Sequence, residues 1–342
     1  MSARRRCSLF RSLAAAALAL GCASEPGPGN MATDASDALD ATDVSDAAMT
    51  PVSCSVDGSK ALATPTPLLV TGFERVFAPA GTRYLNDHTL IRAPDGVWHV
   101  FGITDSSPGN PQAERAFLHA TSMDLMGPWR EEPDALTSMG DETAIWAPHV
   151  VEVSRSHWAM YYFPNAPDGR IRRADSDDLF HWTRTTLSAP GGRDPYLVHD
   201  VDRWRLYSVG VSPSSHGRIV MSESRDLTTW SDPVPVIEDP APGFGWGNLE
   251  SPFVVRRGDL YYLFLTRTSE AYVDYARTVA FASRDPSRFE WEPLAEYPAH
   301  AAEVVDDGHH LWLTSGGWTG YVGERWRGLS IARLAWATCI EH

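Results

Sequence analysis

No His-Glu-x-x-His, no Cys-x-x-Cys and no phosphate-binding glycine loop occurs in the chain. The usual signatures of metal hydrolysis and nucleotide chemistry are therefore missing. Positive charge is scarce: 29 Lys and Arg stand against 44 Asp and Glu, a formal charge of -15. A nucleic-acid partner demands a basic stripe, and this excess of acid argues against one. Long apolar runs are absent too. The richest, residues 12–20, is too short to span a bilayer as a helix. No stretch carries a convincing amphipathic-helix stripe. Cysteine is rare, with four in 342 residues, whereas 13 Trp and 11 Tyr supply large aromatic surfaces for a β-sheet core or a sugar site.

The amino-terminal segment does not read as globular. Arg4, Arg5 and Arg6 precede the short Ala/Leu run, as in a secretion signal. The run ends in Leu18-Ala19-Leu20-Gly21-Cys22, which resembles a bacterial lipobox. The resemblance implies a signal over 1–21, lipidation of Cys22 and an exported protein held to a membrane; ordinary secretion is the alternative. Ala23, where an aspartate would favour inner-membrane retention, points to the outer membrane. Residues 22–60 read as a disordered tether, with aspartates at every third position from Asp34 to Asp46 and small residues between them. Such a segment buries too little surface to fold and repels itself into an extended spacer. Cys54 and Cys339 remain for the folded body, 61–342, where an even pair in an exported chain is a disulfide candidate. Two unpaired thiols are the alternative.

The body repeats itself. An apolar strand, a polar turn and an aromatic-rich strand recur as 89–92 with 98–103, 150–153 with 158–163, 196–198 with 204–209, 253–255 with 260–265 and 303–305 with 311–314. Asp95-Gly96, Gly258-Asp259 and Asp307-Gly308 mark hairpin turns. After most hairpins comes Ser-x-Asp and then a tryptophan expected on the next strand: Ser122 to Trp129, Ser176 to Trp182, Ser224 to Trp230 and, more loosely, Ser283 to Trp291. Those tryptophans lie about 50–60 residues apart, a spacing suited to one propeller blade with generous loops. The pattern predicts an all-β, five-bladed β-propeller of four-stranded antiparallel blades. In the fifth blade the missing element is supplied by residues 329–336, and a strand near 68–77 closes the ring. A β-sandwich is the runner-up, but it leaves the period unexplained.

Three acids stand where apolar strands begin: Asp87 in Asn86-Asp87-His88, Asp194 in Gly191-Gly192-Arg193-Asp194-Pro195, and Glu250 in Glu250-Ser251-Pro252. In a propeller the innermost strands line the central channel, so their starts converge at one end of it. Cleaving a glycosidic bond needs one ionised and one protonated carboxyl, and a third carboxylate helps to hold that proton. Turn-capping is the plainer role for any one of the three.

At these residues the sequence resembles the five-bladed glycoside hydrolases of family 43 (arabinanases and β-xylosidases) and their relatives of families 32 and 68. Asn86-Asp87, Arg193-Asp194-Pro195, Glu250-Ser251-Pro252 and the Trp-Ala-Pro of Ile145-Trp146-Ala147-Pro148-His149-Val150 carry it, from about Thr82 to Gly317. It implies Asp87 as the base that activates water, or as the nucleophile in a fructan-active enzyme. It further implies Glu250 as general acid and Asp194 as the residue that orients the sugar and raises the acid's pKa. Trp146 is a sugar platform or core. Trp246, on a glycine-rich rim loop, and Arg193, His88 and His149 are further candidates for substrate contact. His300 and Glu303 open blade five, where some relatives bind calcium through a histidine; otherwise no cofactor is required. The expected partner is an oligo- or polysaccharide, and the protein itself is expected to be a monomer. A non-catalytic glycan-binding propeller is the rival from another class.

Overall fold

The structure, a computed structural model, describes residues 60–107, 110–211, 215–243, 247–268, 275–317 and 327–340. Cys22, Cys54, Trp246 and the side chain of Cys339 lie outside the described residues, and with them the anchor, the tether and the disulfide pairing. Among the described residues there is no α-helix, only one 3-10 turn at Pro111–Ala113.

Two strands, β1 (Lys60–Leu69) and β2 (Glu74–Phe77), precede the first complete sheet. Blade one is β3 (His88–Arg92), β4 (Trp98–Thr104), β5 (Ala116–Ser122) and β6 (Arg130–Thr137). Blade two is β7 (Ile145–Ser154), β8 (His157–Pro164), β9 (Ile171–Ser176) and β10 (Thr183–Ala189). Blade three is β11 (Tyr196–Asp200), β12 (Arg203–Val211), β13 (Gly217–Ser224) and β14 (Val234–Glu238). Blade four is β15 (Leu249–Arg257), β16 (Leu260–Arg267), β17 (Thr278–Ser283) and β18 (Ala295–Tyr297). Each is an antiparallel meander in sequence order. The five-bladed expectation holds.

Blade five is assembled from both ends. It runs β19 (Val304–Asp306), β20 (Leu311–Ser315), β21 (Leu329–Ile340) and then β1, while β2 pairs with the start of β21. Leu69 faces Leu334 and Lys60 faces Ile340 in that closing ladder. The long β21 takes the place of the absent Ser-x-Asp unit, as its apolar sequence anticipates.

The repeated tryptophans stand elsewhere than expected. Trp129, Trp182, Trp230 and Trp291 precede the fourth strands, in the turns rather than on the strands. The Ser-x-Asp turn is closed by its own side chains: Ser176 Oγ accepts the N–H groups of Asp178 and Leu179, and Asp178 Oδ1 those of Phe180 and His181. Ser224 and Asp226 repeat the pattern in blade three. The tryptophan at the end of the turn is then free to pack sideways. Trp182 meets Phe101 of blade one edge-on at 5.6 Å, Trp230 meets Tyr161 of blade two at 6.4 Å, and Trp129 meets Phe77 of β2 at 6.2 Å. These are aromatic seals between neighbouring sheets.

Candidate active site

The innermost strands of blades two to five enter the channel through one shared device. Ala147, Asp194, Ser251 and Ala301 all have left-handed φ, between 48° and 55°. Held by non-glycine residues, that conformation carries strain of roughly 1–3 kcal/mol each, tolerated where surrounding structure imposes it. Proline follows in three of the four; blade five uses Ala302. The turn shifts the ladder between Trp146 and His149 and between Glu250 and Phe253. Blade one has no such turn at Asp87, where His88 replaces proline.

Register separates the three acids. Glu250 pairs with Thr266 just before its turn, and Arg193, whose carbonyl accepts the Val209 N–H, holds the matching place in blade three. Trp146 and His300 occupy it in blades two and five. Asp194 instead sits on the turn itself, so its counterpart in blade four is Ser251. Glu250 is thus one residue earlier in its strand than Asp194, an offset hidden by the similar Asp-Pro and Glu-Ser-Pro spellings.

The carboxylates nevertheless meet. Arg193 donates from Nη1 to Asp194 Oδ2 at 2.9 Å and reaches Glu250 Oε1 with Nη2 at 3.1 Å. Ser251 joins the other two: its N–H donates to Asp194 Oδ2 at 3.1 Å and its hydroxyl to Asp87 Oδ1. The Gly191-Gly192 step makes this approach feasible. A Cβ on Gly192 would stand 1.7 Å from the Val209 carbonyl oxygen, so only glycine lets the turn lie on β12.

The environment splits the proton affinities. Burial pushes the Asp194 carboxyl up to about 7; Arg193 opposes the rise, and the negative charges of Asp87 and Glu250 add to it. For Glu250 burial also pushes upward, but Arg193 and His300 outweigh it and hold this carboxyl below the usual range. Burial likewise disfavours the Arg193 cation, yet the three carboxylates keep its proton more firmly than usual.

Two residues complete the floor around Glu250. His300 Nε2 faces Glu250 Oε2 at 3.9 Å, and neither ring nitrogen makes a hydrogen bond among the described residues. Its ring stacks on Tyr275 at 3.9 Å, and the Tyr275 hydroxyl accepts from Asn86 Nδ2 at 3.4 Å. Tyr275 was not legible in advance, since a lone tyrosine between a loop and a strand carries no signal. Behind β15, the fully buried Asp239 binds Arg267 Nε at 2.6 Å and Asn248 Nδ2 at 2.8 Å, fixing the approach to Glu250.

The remaining candidates scatter. Trp146 is core: its indole donates to the Pro111 carbonyl at 3.0 Å, lies against Phe163 and is 8% exposed, which leaves a sugar little surface to stack on. His88 is buried beside Thr314 Oγ1, and burial, aided by His300, lowers it to about 3. His149 lies deeper in the channel, donating from Nε2 to the Leu197 carbonyl at 3.0 Å. It helps line a cavity of about 30 Å³ beneath Asp87 and Asp194, with Tyr196 and Glu303. That is room for a water or two.

His300 and Glu303, the residues named for a calcium site, face different partners. Glu303 accepts the Leu90 N–H and faces His149, whereas His300 faces Glu250 and Tyr275. Among the described residues no group of three or more His, Cys, Asp and Glu gathers in a way that could hold a metal ion.

Neither a family model nor a curated protein matches the sequence. Solved structures do match the fold. A GH43_1 enzyme of Xanthomonas citri superposes with a TM-score of 0.60 at 15% identity, over 78% of this chain and 91% of that one. A GH43 β-xylosidase/α-arabinofuranosidase from a compost microbial metagenome, in complex with xylotriose, gives 0.57 at 15%, over 79% and 94%. The GH32 β-fructofuranosidase of Bombyx mori gives 0.57 at 16%, over 78% and 61%. The fold is that of the five-bladed propellers of family 43 and family 32 glycoside hydrolases.

Proposed function

We propose that the protein is a glycosidase that hydrolyses O-glycosidic bonds of an arabinofuranosyl or xylosyl glycan. One observation carries this reading: carboxylates from three blades gather around the Arg193 guanidinium. Acid–base cleavage of an acetal needs carboxyls brought together at one site in this way. In the proposed reaction Asp87 takes a proton from water as the water oxygen bonds to the anomeric carbon. The bond to the leaving oxygen breaks, and Glu250 gives that oxygen its proton. Asp194 and Arg193 orient the sugar. The pentose substrates of the xylosidase neighbour support the choice of sugar, and the family 32 neighbour keeps a fructan-active enzyme, with Asp87 as nucleophile, as the second choice.

The Arg193–Glu250 ion pair favours one other reading, a surface glycan-binding protein, because it ties up the residue that should donate the proton. Hydrolysis of arabinan, xylo-oligosaccharides and fructans by the wild type and by Glu250→Gln decides, with product anomers followed by proton NMR. Turnover abolished by the substitution supports the glycosidase, and the anomer formed separates inversion from retention. Saturable sugar binding without turnover supports the receptor.

We further propose that the protein is an exported monomer, anchored through Cys22 in the outer membrane. Palmitate labelling lost in Cys22→Ala, and the elution volume of the protein lacking residues 1–22, test the two parts.

A further inference from the structure

The role proposed for Glu250 requires it to carry a proton, yet the structure sets it against a guanidinium. Arg193 from blade three meets one carboxyl oxygen and His300 from blade five faces the other. The other titratable groups interacting with it are Asp194 and Tyr275, each of which also meets the charge of Asp87. Of Arg193 and His300, the histidine is fully buried and held in its stack with Tyr275. Arg193 is different. Its side chain is 17% exposed and it holds Asp194 and Glu250 with different nitrogens, so it can release one while keeping the other. Its third contact, from Nη2 to the Leu249 carbonyl at 3.4 Å, is long.

We propose that Arg193 is a clamp on Glu250 which the bound sugar releases. A sugar hydroxyl accepts the Nη2 donor, Glu250 loses its counter-charge, and Glu250 becomes the carboxyl that takes up a proton. Nη1 stays on Asp194 throughout. The acid is then armed only when a hydroxyl is in reach of Arg193, so the arginine is a positioning residue that also selects the sugar. A glycoside lacking that hydroxyl would bind without being cleaved. This inference rests on the glycosidase reading and goes beyond it.

The test follows the Glu250 carboxyl itself by carbon-13 NMR, its signal assigned by its loss in Glu250→Gln. It is titrated free and with saturating xylotriose, arabinotriose or 1-kestose. The expected midpoint lies below the usual glutamate range in the free protein and rises by one pH unit or more with at least one sugar. In Arg193→Gln it is already high without sugar, and sugar no longer moves it. The kinetic counterpart is a pH profile. In the wild type the alkaline limb of kcat lies above that of kcat/KM, and in Arg193→Gln the two limbs coincide. A midpoint that none of the three sugars moves, or that Arg193→Gln leaves unchanged, overturns the clamp. The wild-type titration needs no variant and decides alone if Arg193→Gln fails to fold. Turnover dependent on Glu250 with an unmoved midpoint removes the clamp and keeps the glycosidase. A midpoint moved by sugar without turnover removes the glycosidase and keeps the clamp.

Discussion

The Ser251 hydroxyl donates to the Asp87 carboxylate across 164 residues of sequence, joining blade four to blade one at the mouth of the channel. The same residue's N–H holds Asp194. One serine therefore sets the distance between the residue proposed to activate water and the residue proposed to orient the sugar. Ser251→Ala keeps the N–H and loses the hydroxyl. Its kcat should fall about tenfold with little change in KM, well short of the roughly 10²–10⁴ that a general base supplies. Urea unfolding should show a loss of about 1.5–3 kcal/mol, the usual worth of a hydrogen bond to a charged group. Unchanged kcat would remove the serine from the site.

Gly192→Ala should be among the most damaging single-methyl changes in the chain. The new Cβ would overlap the Val209 carbonyl, which is backbone and cannot rotate away. Overpacking of this kind costs about 3 kcal/mol, and relief comes only by lifting the Arg193-Asp194 turn off β12. Loss of activity and a lowered melting temperature should therefore appear together; an active variant of normal stability would contradict the geometry.

Acid sensitivity should come from a buried histidine pair in blade one. His99 Nδ1 and His119 Nε2 share a hydrogen bond of 2.9 Å, with Phe101 stacked on His119 at 4.5 Å and Phe180 of blade two edge-on. Burial lowers His99 to about 4 and His119, with help from His99, to about 3. The unfolded chain protonates these rings near pH 6.5 and the folded one does not. Stability is thus complete above pH 6.5 and declines as the pH falls towards 4, by up to about 1.4 kcal/mol per pH unit for each ring. His119→Phe, which preserves the aromatic stack, should lose about 1–2 kcal/mol less than the wild type between pH 7 and pH 5 in urea titrations. Parallel losses in both proteins would rule the pair out as the cause.

Removing residues 1–69 should cost the fold, not merely an edge. That deletion strips β1 from β21 and exposes Trp336, which is 1% exposed in the intact ring. Circular dichroism should show a broadened, lowered transition and size exclusion should show aggregates. Removing only residues 1–53, which keeps both Cys54 and β1, should leave the melting temperature within a degree or two.

Much of this architecture was legible because each blade spells out its own hairpin. Asp95-Gly96 and Asp307-Gly308 announce turns, and aromatic second strands such as 158–163 announce burial. Ring closure was legible for a negative reason, the fifth blade's missing Ser-x-Asp unit. The site was harder. That Asp87, Asp194 and Glu250 share a region follows from strand order, but their offset does not. It depends on left-handed turns at Ala147, Asp194, Ser251 and Ala301, which no residue type announces, since Ala301-Ala302 makes the same turn without proline. For Trp146 the sequence left a sugar platform and core equally open, because an indole in a family-like motif packs as readily on Phe163 as on a sugar. The Tyr275–His300 stack depends on two distant segments meeting, and nothing local in either encodes the other.

The pairing of β1 with β21 also orders events in time. The fifth sheet has two strands, β1 and β2, near the start of the described chain and three near its end, so β1 must wait for nearly the whole protein to be made or moved before its partner arrives. Until then the edges of β1 and β2 are unpaired, and the apolar faces of blades one and four that pack on blade five are uncovered, both of them templates for other chains. A fault in the last dozen residues is therefore felt first at the beginning of the fold. The yield of folded protein should depend less on how strongly each blade holds itself than on how soon the tail follows.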